Sequence, residues 1–156
     1  MTPLRLQKQL CDEVKKIVSD FIFFDLEGNQ RKVNVFPQTL PLKEPDEEEE
    51  QFYPYCIVVL DEGRLSNSFD KNETRVIFQF GIFDDLKMQE HVDLMVIMER
   101  VMQRFMENCQ LENFWRKGDI NWALTGEEYY PFSYGLIEMI FQHSVKIEEN
   151  KWKELC

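Results

Sequence analysis

Two histidines, four cysteines and two carboxylate pairs are the residues of this chain with the chemical range for catalysis or metal binding. His91 and His143 come from distant segments, and Cys11, Cys56, Cys109 and Cys156 are scattered with no CxxC pair. Structural zinc sites draw ligands from short, paired spacings, so no metal-ligand set is expected. Scattered cysteines of this kind read as reduced cytosolic thiols. A nucleophile needs a base within hydrogen-bond reach, and no GxSxG, P-loop or GxGxxG motif occurs. Asp84-Asp85 and Glu127-Glu128 have the form that acid–base chemistry or a hard cation requires. Both also stand where turns and helix starts favour carboxylates on structural grounds alone. No catalytic residue, cofactor or metal is therefore expected, and an enzyme is the least supported functional class.

The elements that hold these residues centre on Thr74 to Asn108. Val76, Phe78, Phe80 and Ile82 fall on one face of a strand by its period of two, and Ile77, Gln79, Gly81 and Phe83 on the other. Both faces are largely apolar, which predicts an interior strand covered on both sides. Gly81 marks a bulge or a close neighbour. From about Met88 to Glu107 the period becomes helical. Leu94, Met95, Ile97, Met98, Val101, Met102, Phe105 and Met106 cover about half the circumference. Val92 lies at the edge of that arc, His91 at the edge of the polar face, and Val96 among the polar residues. An arc this wide can cover a sheet and also meet another element or another subunit. Its methionines read as core packing, with an adaptable surface as the alternative.

Taken in order, Thr2 to about Asp20 reads as an amphipathic helix with Thr2 as cap and Pro3 in the first turn. Phe21–Asp25, a turn at Gly28 and Lys32–Phe36 read as a hairpin stopped by Pro37, with extension of the first helix through Phe24 as the alternative. Six of the seven residues from Glu44 to Glu50 are acidic, a self-repelling surface loop. Tyr53-Pro54 predicts an extended lead-in to a buried strand, Cys56–Leu60. The polar stretch Asp61–Asn72 joins it to the central strand as an antiparallel pair. Cys109–Gly118 reads as a mixed connector, Ile120–Leu124 as a strand, and Gly135–Val145 as the final strand before a charged tail that contains Trp152. The expected class is α+β, a mostly antiparallel sheet of about four to six strands packed with two amphipathic helices.

The chain has 156 residues, and 44% of them are apolar, enough for one domain (1–156) with a sizeable core. A net charge of −11 disfavours nucleic-acid or anionic-membrane binding, which needs basic patches. No apolar run approaches the length of a membrane span. No apolar signal-peptide core opens the chain.

Several segments together resemble the small prophage-encoded tail terminator, or tail completion, proteins of long-tailed bacteriophages. They are the helix at Pro3–Val18 followed by a hairpin and a proline stop, and Tyr53-Pro-Tyr-Cys-Ile-Val-Val-Leu60. Next comes Val76-Ile-Phe-Gln-Phe-Gly-Ile-Phe-Asp-Asp85 running into a long helix that passes through Glu99-Arg-Val101. Last are Trp122-Ala-Leu124 and Tyr130-Pro-Phe-Ser-Tyr-Gly-Leu-Ile137. The insert KEPDEEEEQ and the tail past Val145 have no counterpart in the resemblance.

What the resemblance implies is a non-enzymatic structural protein. Compact subunits form a ring, usually hexameric, that caps the tail tube and joins it to the head connector, with DNA passing through the hole. The partners would be further copies of the chain, the tail tube protein and the head-connector protein, with no sequence-specific nucleic-acid binding and no membrane. The location would be the host bacterial cytoplasm during assembly and then the virion. Glu44, Asp46, Glu47, Glu48, Glu49 and Glu50 would line the lumen or a ring face. Val92, Val96 and Trp152 would make contacts between subunits. The alternatives are another phage neck or tail assembly component, or a cytosolic ligand-binding or regulatory domain.

Overall fold

A computed structural model describes residues 2–24, 28–46, 49–66, 72–83, 90–125 and 132–143, the side chains of Phe24, Glu49, Glu50, Glu90 and His91 excepted. The first helix, α1, spans Pro3–Ile17. Thr2 caps it, its hydroxyl accepting from the Arg5 N–H at 3.2 Å, which satisfies one of the orphan donors of the first turn. Leu6, Leu10 and Val14 repeat along one side and are fully buried. The helix ends at Ile17, short of Asp20, with Val18 as its C-cap.

Past that cap the chain turns into strand β1 (Ile22–Phe24), which pairs antiparallel with β2 (Gln30–Lys32). The helical alternative for Phe21–Phe24 is thereby excluded. The expected second hairpin strand, Lys32–Phe36, is broken at Val33. Its first part returns to β1. Its second part, β3 (Asn34–Pro37), joins the main sheet parallel to β4 (Tyr55–Arg64). The Asn34 N–H donates to the Pro54 carbonyl and the Gln38 N–H to the Val58 carbonyl, which fixes this pairing.

β4 pairs antiparallel with β5 (Glu73–Phe83), as expected, but runs past Leu60 through a bulge to Arg64. Asn72, expected in a polar turn, is fully buried. After helix α2 (Glu90–Glu107) the supposed connector is mostly sheet. Gln110–Leu111 form β6, and Phe114–Leu124 form one long strand, β7. Leu111 and Phe114 are buried on either side of a two-residue turn in which Glu112 takes a positive φ. The element is too short to show a period in the sequence. β8 (Phe132–His143) pairs with β5 on one side and β7 on the other, giving the order β3-β4-β5-β8-β7-β6. The class is α+β, and the sheet is antiparallel except for the β3–β4 pair.

Both helices lie on one face. α1 covers β3 and β4, and α2 covers β5 and β8. Arg104 of α2 is tied to Glu13 of α1 at 2.6 Å, and Arg100 reaches Asp20, just past the end of α1, at 3.2 Å. Arg104 also donates to the carbonyls of Asn108 and Gln110, closing the C-terminal end of α2. Beneath the helices, Val76, Phe78, Phe80 and Ile82 meet Ile137, Met139 and Phe141 in one core. Cover of β5 on both sides does not hold. On the other face Ile77 and Phe83 are half-buried and Gln79 is exposed, because no helix among the described residues crosses that side.

Candidate functional site

That uncovered face of the sheet, called the outer face here, gathers side chains that the sequence scatters over 85 positions from Tyr53 to Glu138. At one end lies an aromatic cluster. Tyr53 packs against Tyr55, Phe132 and Tyr134, with ring centroids 4.9, 4.8 and 6.2 Å apart. The hydroxyls of Tyr53 and Tyr134 share a hydrogen bond of 2.7 Å. Phe83 meets Phe132 edge-on at 5.3 Å. These positions come together because β4, β5 and β8 align Tyr55, Gly81 and Tyr134 across the sheet. The Tyr55 ring lies over Gly81, so the close neighbour, and not a bulge, is the reason for that glycine.

At the other end is an ionic cluster. Arg75 lies 3.5 Å from both Asp61 and Glu62 and closer still to Glu138. Beside it Lys117 reaches Glu73 at 2.6 Å, and this hydrogen bond holds the Glu73 carboxyl below the usual carboxylate range. Arg64 lies 3.5 Å from Glu73 on its other side. Ion pairs this open to solvent contribute little to stability, so they set the charge pattern of the face more than the stability of the fold.

Between the two ends, Gln79, Ala123, Thr125, Leu136 and the two tyrosines Tyr55 and Tyr134 line a shallow cavity of about 200 Å³. Small-molecule pockets run roughly 300–1,000 Å³, so this one is undersized for a ligand of drug-like dimensions. Its lining offers hydroxyls and an amide, with no carboxylate, imidazole or thiol. Such a lining can hold a chain or a surface by packing and hydrogen bonds.

Cys56 and His143, two of the groups with reactive potential, lie away from this cavity and face inward, whereas Cys109 is exposed. Cys56 is fully buried, and burial pushes its thiol well up, out of reach of thiolate chemistry at neutral pH. His143 closes β8 with its ring buried against Phe114 and its Nε2 3.3 Å from the Thr74 hydroxyl. Its Nδ1 and the amide nitrogen of the neighbouring buried Asn72 have no hydrogen-bond partner among the described residues. Burial lowers the imidazole's pKa, so the folded protein holds it neutral.

The unfolded chain then takes up the proton first. Stability from this site is complete above about pH 6.5 and declines as pH falls from there to the lowered folded value, by at most about 1.4 kcal/mol per pH unit. His143→Gln should remove that slope. Urea unfolding of both proteins across the range gives a stability difference that changes with pH. A difference that stays constant would show that His143 is not held neutral.

Of the residues expected to make subunit contacts, Val92 and Val96 stand one turn apart on the solvent side of α2, 47% and 40% exposed. They lie across the sheet from the outer face. Glu44 and Asp46 are exposed in the segment after β3. Glu49 and Glu50 belong to a short 3-10 helix, Glu49–Phe52. Glu47, Glu48 and Trp152 lie outside the described residues, as do Asp84-Asp85, Glu127-Glu128 and the tail from residue 144. The outer face itself was missed. Its signal is the recurrence of aromatic residues at alternate positions in Tyr53-Pro-Tyr55 and Phe132-Ser-Tyr134, which only strand pairing makes meaningful.

No helix among the described residues is long and apolar enough to cross a membrane. Neither protein-family models nor curated protein sequences give any match to this chain.

Proposed function

We propose that this chain is a non-enzymatic assembly subunit of the phage tail terminator type, forming a ring that caps the tail tube and meets the head connector. The observation that carries this reading is the display of apolar side chains on α2 outside its buried stripe. Val92, Val96 and Met106, the last 65% exposed, all lie on the side of the helix away from its buried stripe. Apolar groups left in water on a helix that already has a full core face favour a protein partner. The order of elements that carries the resemblance is compatible with the fold described above. The acidic residues Glu44 and Asp46, with Glu47 to Glu50, would give a lumen along which DNA slides without sticking. Assembly would take place in the host bacterial cytoplasm, and the ring would leave in the virion.

Light scattering over a range of concentration, with and without tail-tube protein, tests this. A discrete ring of about six subunits, formed alone or on mixing, is the expected result. A monomer or dimer of the 18.9 kDa chain that ignores tail-tube protein at every concentration would overturn it. For the acidic segment, replacing Glu47 to Glu50 by glutamine should impair tail assembly or DNA passage, and unchanged virion yield would remove the lumen assignment. Among the described residues the small-ligand alternative draws on the outer-face cavity, whose 200 Å³ weighs against it.

A further inference from the structure

We infer that two copies of this chain pair edge to edge through the second half of β7, antiparallel about a two-fold axis at Trp122. β6 covers only the start of β7, at Phe114 and Trp115. Beyond it, the pairing of β7 with β8 slips between Lys117 and Asn121, around Gly118 with its positive φ. The strand then resumes in register, Asn121 opposite Glu138 through Leu124 opposite Gly135. Among the described residues, nothing pairs with the far edge of this second half.

The direction of its backbone groups follows from one hydrogen bond. The Thr125 N–H donates to the Tyr134 carbonyl at 2.9 Å. By strand alternation Ala123 and Asn121 also face β8, so Ile120, Trp122 and Leu124 turn their N–H and C=O groups outward. An outward row of this kind is a template for another strand.

The occupant is argued from self-complementarity. With Trp122 opposite its own copy, Ile120 lies opposite Leu124. All three outward-facing residues then pair with outward-facing residues and exchange both hydrogen bonds. The apolar side chains Ile120, Trp122 and Leu124 share one face, so apolar meets apolar across the axis. Asn121 lies opposite Ala123, so no like charges face each other across the regular part of this strand despite the net charge of −11. Trp122, 52% exposed in the single chain, would be covered by its copy. Leu124 and Ile120 already pack on the core, which continues the apolar surface into the new contact. The sheet's other edge is a poor partner. β3 has four residues, its Pro37 has no N–H, and the N–H groups of Asn34 and Gln38 are spent on the carbonyls of Pro54 and Val58.

A contact of five residues a side is far below the roughly 20–30 of a standard stable interface. The dimer is therefore concentration-dependent, and its two-fold must open before a ring with all subunits facing one way can close. The inference does not rest on the tail reading.

The test is sedimentation or light scattering of the full chain across a concentration series, on wild type and Trp122→Pro. Proline at 122 removes an outward N–H and the indole, and takes no hydrogen bond from the β7–β8 ladder. Wild type should rise from 18.9 kDa towards twice that mass, and Trp122→Pro should stay at the monomer mass. A second variant, Trp122→Cys with Cys109 and Cys156 changed to Ser, does not depend on proline being tolerated. Directly opposed hydrogen-bonded residues have Cα atoms about 5.5 Å apart, within disulfide reach, so mild oxidation should yield a covalent dimer. Ala123→Cys in the same background should not.

Wild type monomeric throughout, Trp122→Pro as dimeric as wild type, or no cross-link at 122 would each overturn the inference. A ring that forms on tail-tube protein with no wild-type dimer at any concentration overturns edge pairing alone. A Trp122-dependent dimer indifferent to tail-tube protein upholds edge pairing and removes the ring.

Discussion

Phe105→Ala lowers the unfolding free energy by about 3–5 kcal/mol. Phe105 is fully buried on α2 and meets two strands at once, its ring 6.3 Å from Phe78 of β5 and 5.5 Å from Phe141 of β8. Arg104, the residue that ties α2 to α1, lies over the same ring at 4.9 Å. Truncation leaves a cavity at the junction of helix and sheet, and the flanking rings belong to paired strands that cannot collapse into it. Domains of this size have roughly 5–15 kcal/mol in total, so the loss is about a fifth or more of what holds the protein folded. Urea unfolding measures it. Phe105→Leu, which keeps most of the volume, should cost about 1.5 kcal/mol or less. A loss below about 1 kcal/mol for Phe105→Ala would mean that α2 is not anchored there.

Gly81→Ala is the second large effect, at about 1–3 kcal/mol from a single added methyl. A Cβ at position 81 would stand 2.5 Å from Cζ of the Tyr55 ring and 2.7 Å from its hydroxyl. Unstrained carbon contacts lie at about 3.5–4.0 Å. The ring has little room to yield. It is 8% exposed, packed edge-on against Tyr53, and carried on β4 directly opposite Gly81. Either the ring leaves, opening the aromatic end of the outer face, or the two strands separate locally. Tyr55→Leu in the same chain removes the obstruction. The double variant should then be more stable than the sum of the two single losses predicts. Additive losses would show that the Tyr55 ring is not what excludes a side chain at position 81.

The two helices were legible in the sequence because their signals are local. Leu6, Leu10 and Val14 repeat at helical spacing behind a Thr2 cap, and Leu94, Ile97, Met98, Val101 and Phe105 do the same on α2. The inner face of β5 was legible for the same reason, since Val76, Phe78, Phe80 and Ile82 alternate without interruption. The antiparallel link of β4 to β5 followed from a short polar connection. β3 was legible as part of the extended run Lys32–Phe36 stopped by Pro37, but not its parallel pairing with β4, whose partners lie 21 positions away. β6 was not legible, because two residues show no period and pair through a tight turn, Gln110 with Trp115.

The sequence by itself determined the α+β class, the acidic surface and the composition of the inner core, all of which rest on neighbours within a few residues along the chain. Only the tertiary structure decided which apolar residues stay near water. Ile77, Gln79 and Leu136 alternate with core residues as a two-sided buried strand would, yet both helices fall on one side of the sheet and leave them on the other. Trp122 sits in a strand pattern like any other, yet β6 is too short to reach it. Whether a side chain is covered depends on the placement of elements remote in sequence, and that placement is set by the global fit of helices to sheet, which no local period encodes.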